Sequence, residues 1–339
     1  MKNLSRIVLL GLFALAACQE QPSDTPASEA PVLSVYSGRS EALVKPIIEQ
    51  FEQETGIQVN VRYGSTSQLA TALQEEGEQT GADVFWGQDA GGLGAIHESG
   101  MLLPLPDTLL QQIPTSFRNT AGTWIPTSAR ARTLAYAPDR VDTTALPSSV
   151  FDLTDPKYRG RVGWAPTNAS FQSFVTAMRK LEGDERTRTW LRDMKANGTK
   201  SYNNNTAIIE GIANGEIDLG LPNHYYLHRF KSEDPAYPVE QTFFRTGDPG
   251  ALVNVAGIGV LKVSDQQEAA LRLIDFLLSQ QAQTYFANET YEYPIITDVT
   301  PSAQLASLEA ISAIQPKIDL DSLRDLEGTL QILREEGLL

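Results

Sequence analysis

From Val32 to Gly92 the apolar residues recur with two alternating periods, and that alternation restricts the chain to few architectures. Val32 to Tyr36 reads as an apolar strand running into Ser37-Gly38-Arg39-Ser40. A helix follows, with Leu43, Ile47, Ile48 and Phe51 on one face, Ser40 as a natural N-cap and Gly56 as its stop. Ile57, Val59, Val61 and Tyr63 then alternate with Gln58, Asn60 and Arg62, as a half-buried strand should, and Ser65 to Glu76 returns to helical spacing. Ala82 to Trp86 is a third strand, leading into Gly87-Gln88-Asp89-Ala90-Gly91-Gly92. A β-α-β-α-β order of this kind implies a mostly parallel sheet with helices on its faces. Ligands of such sheets bind beyond the carboxyl ends of the strands, here at Ser37–Ser40 and Gly87–Asp89.

The second half has the same style without repeating the sequence. Arg161 to Trp164 is a short strand, Pro166 to Ser170 a turn, and Phe171 to Leu181 a helix whose N-terminus offers free backbone amides to an anion. Asn203-Asn204-Asn205-Thr206 opens a helix at Ile208 to Ala213, and Glu216 to Leu221 is a strand ending near Pro222. Ser264 to Asn288 reads as one long amphipathic helix, and Asp319 to Leu339 holds one more. About 310 folded residues are ample for two lobes.

The start of the chain sets the compartment. Lys2 and Arg6 precede an apolar run, Ile7 to Leu15, that is too short to span a bilayer, and Leu15-Ala16-Ala17-Cys18 has the small-residue pattern of a lipoprotein signal peptide. Residues 1–17 are therefore expected to be removed, Cys18 lipidated, and residues 18–31 to act as a flexible tether, placing the protein in the periplasm or on the outer face of the cell membrane. Cys18 is the only cysteine, which leaves no disulfide and no thiolate metal cluster downstream. Removal of Lys2 and Arg6 leaves 25 Lys plus Arg against 42 Asp plus Glu, a net charge of −17. That balance disfavours nucleic acid and electrostatic adhesion to anionic lipid, so the lipid anchor is the expected membrane contact.

The run Asn223-His224-Tyr225-Tyr226-Leu227-His228 holds two adjacent phenols just after an apolar strand. Phenol oxygens are hard donors suited to a hard trivalent cation such as ferric iron; the alternative is a pair of half-buried strand residues. If both reach one ion the chain must bend there, because neighbours on a regular strand point to opposite faces. His224 and His228 have the spacing of a zinc pair on a helix, but no further ligand is near in sequence and His97 lies in an unrelated helix. No Gly-x-Ser-x-Gly elbow, phosphate loop or His-Glu-x-x-His occurs, and no catalytic residue is expected.

Taken together, Val35-Tyr36-Ser37-Gly38-Arg39, Glu54-Thr55-Gly56-Ile57, Ala82-Asp83-Val84-Phe85, Arg130-Ala131-Arg132, Gly247-Asp248-Pro249-Gly250-Ala251-Leu252-Val253, Tyr293-Pro294 and Asn223-His224-Tyr225-Tyr226 resemble the ferric-iron-binding proteins of ABC importers. These are type II periplasmic binding proteins, and the resemblance runs over essentially the whole mature chain. It implies an α/β fold of two lobes, each a mixed, mostly parallel sheet flanked by helices, joined by a hinge of crossing strands. Lobe 1 would take residues 32–130 plus about 256–305, and lobe 2 about 131–255 plus 306–339. It also implies a monomer that delivers Fe3+, or a ferric chelate, to an ABC permease. Tyr225 and Tyr226 match the family's metal-binding tyrosines. A synergistic carbonate or phosphate would map onto Asn168, Ala169, Ser170, Asn205 and Asn223, with Asp89 and a charge from Arg130 or Arg132.

The sequence departs from the family pattern in the first lobe. Ser40 stands where many members have a metal-binding His, Gln88 where some have Glu, and Ser170 where another branch has a third Tyr. Ser40 reads as a helix N-cap and Gln88 as a donor to the anion, with Asp89 or Tyr36 as reserve ligands. Two other readings stay open: a binding protein for a phosphonate, a polyamine or thiamine, with the tyrosines as walls, and an enzyme on the same fold.

Overall fold

A computed structural model of the chain describes residues 31–296, 299 and 305–339; the signal-peptide, Cys18 and tether readings lie outside them. The alternating pattern of the first third becomes β1 (Val32–Ser37), the helix Glu41–Thr55, β2 (Gln58–Tyr63), the helix Thr66–Glu76 and β3 (Val84–Gly87). Leu43, Val44, Ile47, Ile48 and Phe51 bury the inner stripe of the first helix, each stabilising the fold by about 2 kcal/mol. That helix stops at Gly56, whose φ of 72° lies in the left-handed region glycine adopts without strain.

Seven further strands complete two sheets: β4 (Ile125–Ala131), β5 (Leu134–Tyr136), β6 (Val162–Trp164), β7 (Lys200–Ser201), β8 (Leu219–Gly220), β9 (Glu240–Thr242) and β10 (Val253–Val260). The first sheet has the order β2-β1-β3-β10-β4 and the second β7-β6-β8-β5-β9. In the first, β1, β2 and β3 are parallel, while β10 runs antiparallel to both β3 and β4. In the second, β5 is the reversed strand, antiparallel to β8 and β9. Each lobe is thus mixed and mostly parallel, as expected. Central β3 and β10 and the edge strand β4 are buried at every residue, so none shows the alternation of a half-exposed strand.

The chain passes between the sheets at Arg132–Thr133, where β4 continues into β5. There the Arg132 amide donates to the Leu252 carbonyl and the Thr133 amide to the Pro222 carbonyl. It passes back between β9 and β10. The C-terminal residues lie across both lobes: Asp321 accepts from Asn119 and Thr120, and Arg324 pairs with Glu98. Beyond them Asp325 meets Arg179, and Thr329 meets Thr176. A Cβ on Gly91 would lie 2.8 Å from the Leu323 carbonyl oxygen, so glycine there is what lets this strap approach the helix Ala90–Glu98.

Two expected elements differ. The span Ser264–Asn288 is two helices, Gln267–Leu277 and Gln280–Asn288, because the Ser279 hydroxyl accepts the Ala282 amide and starts a new helix. The strand expected at Glu216–Leu221 shortens to β8, and the residues after it form the helix His224–Glu233. Among the described residues no helix is long and apolar enough to cross a membrane.

Candidate metal centre

Pro222, which has no amide hydrogen to continue the ladder, is followed by Asn223 in extended conformation (φ −85°, ψ 151°) and then by the helix His224–Glu233. Tyr225 and Tyr226 therefore sit in a first helical turn, not on a strand, and their rings stack at 4.2 Å and 28°. Tyr225 is buried and Tyr226 half-buried. The opposite-face problem of a strand does not arise. Asn223 occupies the N-cap position, yet its side chain makes no capping hydrogen bond, and its buried Nδ2 has no partner among the described residues.

Burial holds the Tyr225 phenol well above its ordinary pKa, and Tyr226 and Glu292 add to the rise while Arg130 opposes it. The phenol is protonated at neutral pH, so only a strongly charged ion can displace its proton.

Close enough to Tyr225 to act on it is Arg130, one of several buried donors. All three Arg130 guanidinium nitrogens lack hydrogen-bond partners among the described residues, as does Asn254 Nδ2, while the Ser173 hydroxyl acts on Asp89. Arg130 and Asn254 lie opposite each other on β4 and β10, and Asn254 Oδ1 accepts the Ala90 amide. Burial lowers the Arg130 pKa, while Tyr225, Asp89 and Glu292 draw it back up. Unpaired buried donors cost about 1–3 kcal/mol each, so such a cluster is chemically suited to an anion.

A second polar group gathers at two helix starts. Asn168 Oδ1 accepts both the Ser170 amide (3.0 Å) and its hydroxyl (2.6 Å), and Asn205 Nδ2 reaches Ser170 Oγ at 3.5 Å. Asn168, Ala169, Ser170 and Asn205 are thereby brought together at the N-termini of the helices Ala169–Glu182 and Asn205–Ala213. Asp89 is buried at the N-cap of the helix Ala90–Glu98 and accepts the Gly92 amide. Burial raises its pKa, opposed by Arg130 and by that amide.

The remaining candidates lie elsewhere or are otherwise engaged. Ser40 is at the N-cap position but exposed, without the capping bond expected of it. Gln88 is half-buried beside Asp89, its backbone N–H donating to Thr66 Oγ1. The Tyr36 hydroxyl is engaged, donating to Glu76 and accepting from Arg62. Arg132 gives Nη1 to the Leu221 carbonyl and lies over Phe171 and Phe174, and burial together with Arg130 pushes its pKa down to about 9. His224 and His228 do share a helix, but both nitrogens of His224 bond to backbone and His228 Nε2 to Gln241. No group of three His, Cys, Asp or Glu fit for a metal occurs among the described residues.

Sequence reasoning missed Ser173, Asn254 and the buried pair Arg39–Glu292. Arg39 Nη2 lies 2.5 Å from Glu292 and Nη1 donates to Ser128. Asn254 meets Arg130 only through the β4–β10 register, Ser173 meets Asp89, and Glu292 acts on Tyr225.

A model of the bacterial extracellular solute-binding proteins matches residues 46–313. This chain belongs to that family. The Fe(3+)-binding periplasmic protein of Serratia marcescens is 31% identical over 308 residues, covering 90% of either chain. The major ferric iron-binding protein of Neisseria meningitidis serogroup B is 30% identical over 345 residues, covering 100% of both. Among family structures, iron-bound HitA from Pseudomonas aeruginosa superposes with a TM-score of 0.86 at 34% identity, over 91% of this chain and 100% of that one. A Trichodesmium protein in complex with iron and citrate gives 0.76 at 28% identity, over 91% and 100%.

Proposed function

We propose that this family member captures ferric iron outside the cytoplasm and delivers it to an ABC permease. The observation that carries the reading is the stacked Tyr225–Tyr226 pair in a first helical turn, with the unpartnered guanidinium of Arg130 close enough to act on Tyr225. Relatives named for ferric iron binding support it.

The charges define what completes the site. Buried Arg39, Arg130 and Arg132 against Asp89 and Glu292 leave one net positive charge. A ferric ion with two phenolates adds another. A dianion such as carbonate or phosphate cancels the sum, with Arg130, Asn254 Nδ2, Ser173, Asn223 and the Ser170 helix start as its cradle. Without that anion the arginines repel bare cations, so iron and anion enter together, and citrate carried with iron is a chelate of the same chemistry. Lobe closure then excludes water and strengthens the Fe3+–phenolate interaction, and opening against the permease releases the ion. The first lobe contributes charge and hydrogen bonds more than ligands, with the buried carboxylates of Asp89 and Glu292 both acting on Arg130. Lipidation at Cys18 would hold the protein near its permease.

Ferric phenolates absorb visible light. Protein loaded with ferric citrate plus carbonate or phosphate is expected to be coloured, and Tyr225→Phe with Tyr226→Phe to be colourless. A wild-type protein that takes up no iron and no colour sinks the reading.

A further inference from the structure

The turn that carries both tyrosines receives no capping bond from Asn223. What fastens it is His224, whose ring is 1% exposed and engaged at both nitrogens. Nε2 lies 2.8 Å from the Tyr291 carbonyl oxygen, which can only accept, so the proton sits on Nε2. The bare Nδ1 then accepts the Ala131 amide hydrogen at 3.2 Å, with the Ala131 carbonyl oxygen at 3.3 Å. The same ring stacks on Tyr293 at 4.4 Å and 23°.

These partners belong to the other lobe. Ala131 ends β4 of the first sheet. Tyr291 and Tyr293 flank Glu292, which is tied to Arg39, and Tyr293 bridges Ala129 of β4. One imidazole on a helix of the second lobe therefore grips two backbone segments of the first. Tyr291 itself has φ 58°, the only non-glycine among the described residues in the left-handed region, and its ring stacks with His228. A carbonyl aimed by a strained backbone at a single ring nitrogen is the kind of over-determined contact that clusters at functional sites.

We propose that His224 is a positioning residue for metal capture. It indexes the tyrosine turn against the first lobe, so that both phenol oxygens stand in place before the ion arrives and are held there while it is bound. The inference rests on Tyr225 and Tyr226 being the ferric ligands.

His224→Phe in the full chain keeps the stacked ring and removes both hydrogen bonds. The variant is expected to take up iron but to show a displaced charge-transfer band and to release iron to excess chelator about ten-fold faster. Tyr291→Gly keeps the carbonyl and accepts the same φ, and is expected to release iron at close to the wild-type rate. A folded His224→Phe protein with wild-type band and release rate overturns the positioning role; a colourless wild type overturns the iron reading instead. Should His224→Phe fail to fold, nitrogen-15 spectra of the native histidines decide the matter. Protonated Nε2 and bare Nδ1 at His224, unchanged on iron loading, support the proposal, and an Nδ1–H tautomer overturns it.

Discussion

Iron affinity should depend on pH with a slope set by the number of phenols that bind the ion. A tyrosine phenol ordinarily holds its proton up to a pH of about 10, and burial takes Tyr225 higher still. A ferric ion bound as phenolate must displace one proton from each ring. Two displaced protons make the affinity rise about 100-fold per pH unit, or about 2.7 kcal/mol per unit. Acid returns the protons and favours release. Tyr226→Phe removes one of the two displacements, so its slope should fall to about 10-fold per unit. The assay is competition with a chelator of known protonation constants between roughly pH 5 and 7, at a fixed saturating anion, read from the visible band. Asp89, held above the usual carboxylate range by burial, bends both curves at the acid end and cancels in the comparison. Equal slopes for wild type and Tyr226→Phe would refute the two-phenolate site.

Glu292→Gln should cost about 3 kcal/mol in denaturant-induced unfolding, because Arg39 loses the anion it was buried with. Replacing both partners with Met should recover most of that loss; a double variant as unstable as the sum of the singles would contradict the account. Arg130→Met should stabilise the metal-free protein by about 1–3 kcal/mol, since three unpaired buried nitrogens disappear, while abolishing anion-dependent colour. A loss of stability with colour retained would count against the anion cradle. Burial, reinforced by His228, pushes the His224 pKa down to about 3, so between that value and the unfolded pKa of about 6.5 the unfolded chain binds the extra proton. Stability should therefore fall on acidification through that window by about 1.4 kcal/mol per pH unit, and His224→Phe should lack this contribution. Parallel stability–pH curves for the two proteins would show that His224 is not buried neutral.

The first three strands of the first sheet were legible in the sequence because β1, β2 and their helices are half-exposed and keep their periods, as Val59, Val61 and Tyr63 do on β2, whereas the fully buried β4 and β10 were not read as strands. The break at Ser279 was not, because Leu277, Leu278 and Ala282 continue the apolar pattern through a side-chain cap that periodicity does not register. The tyrosine pair was visible as chemistry, but its placement on a helix depended on Pro222 and Asn223 ending the strand early. Asn254, Ser173 and Glu292 carried no local signal at all. Asn254 sits in a run of strand residues and meets Arg130 only through the β4–β10 register, and Glu292 becomes a buried partner only when Arg39 arrives from β1's following loop.

The position of β10 bears on how the protein comes into being. It lies between β3 and β4 in the first sheet, although the chain makes it long after both. Until Val253–Val260 emerges, β3 and β4 have no common neighbour, Arg130 has no Asn254 opposite it, and the first half of the molecule cannot close its sheet. Folding of that lobe must wait for contacts far apart in sequence, which are slow to form. For a polypeptide that has to thread a translocation pore before it folds, such a delay keeps it threadable. The same delay leaves two apolar strand edges open in transit, and these are the surfaces a chaperone on the export route would have to shield.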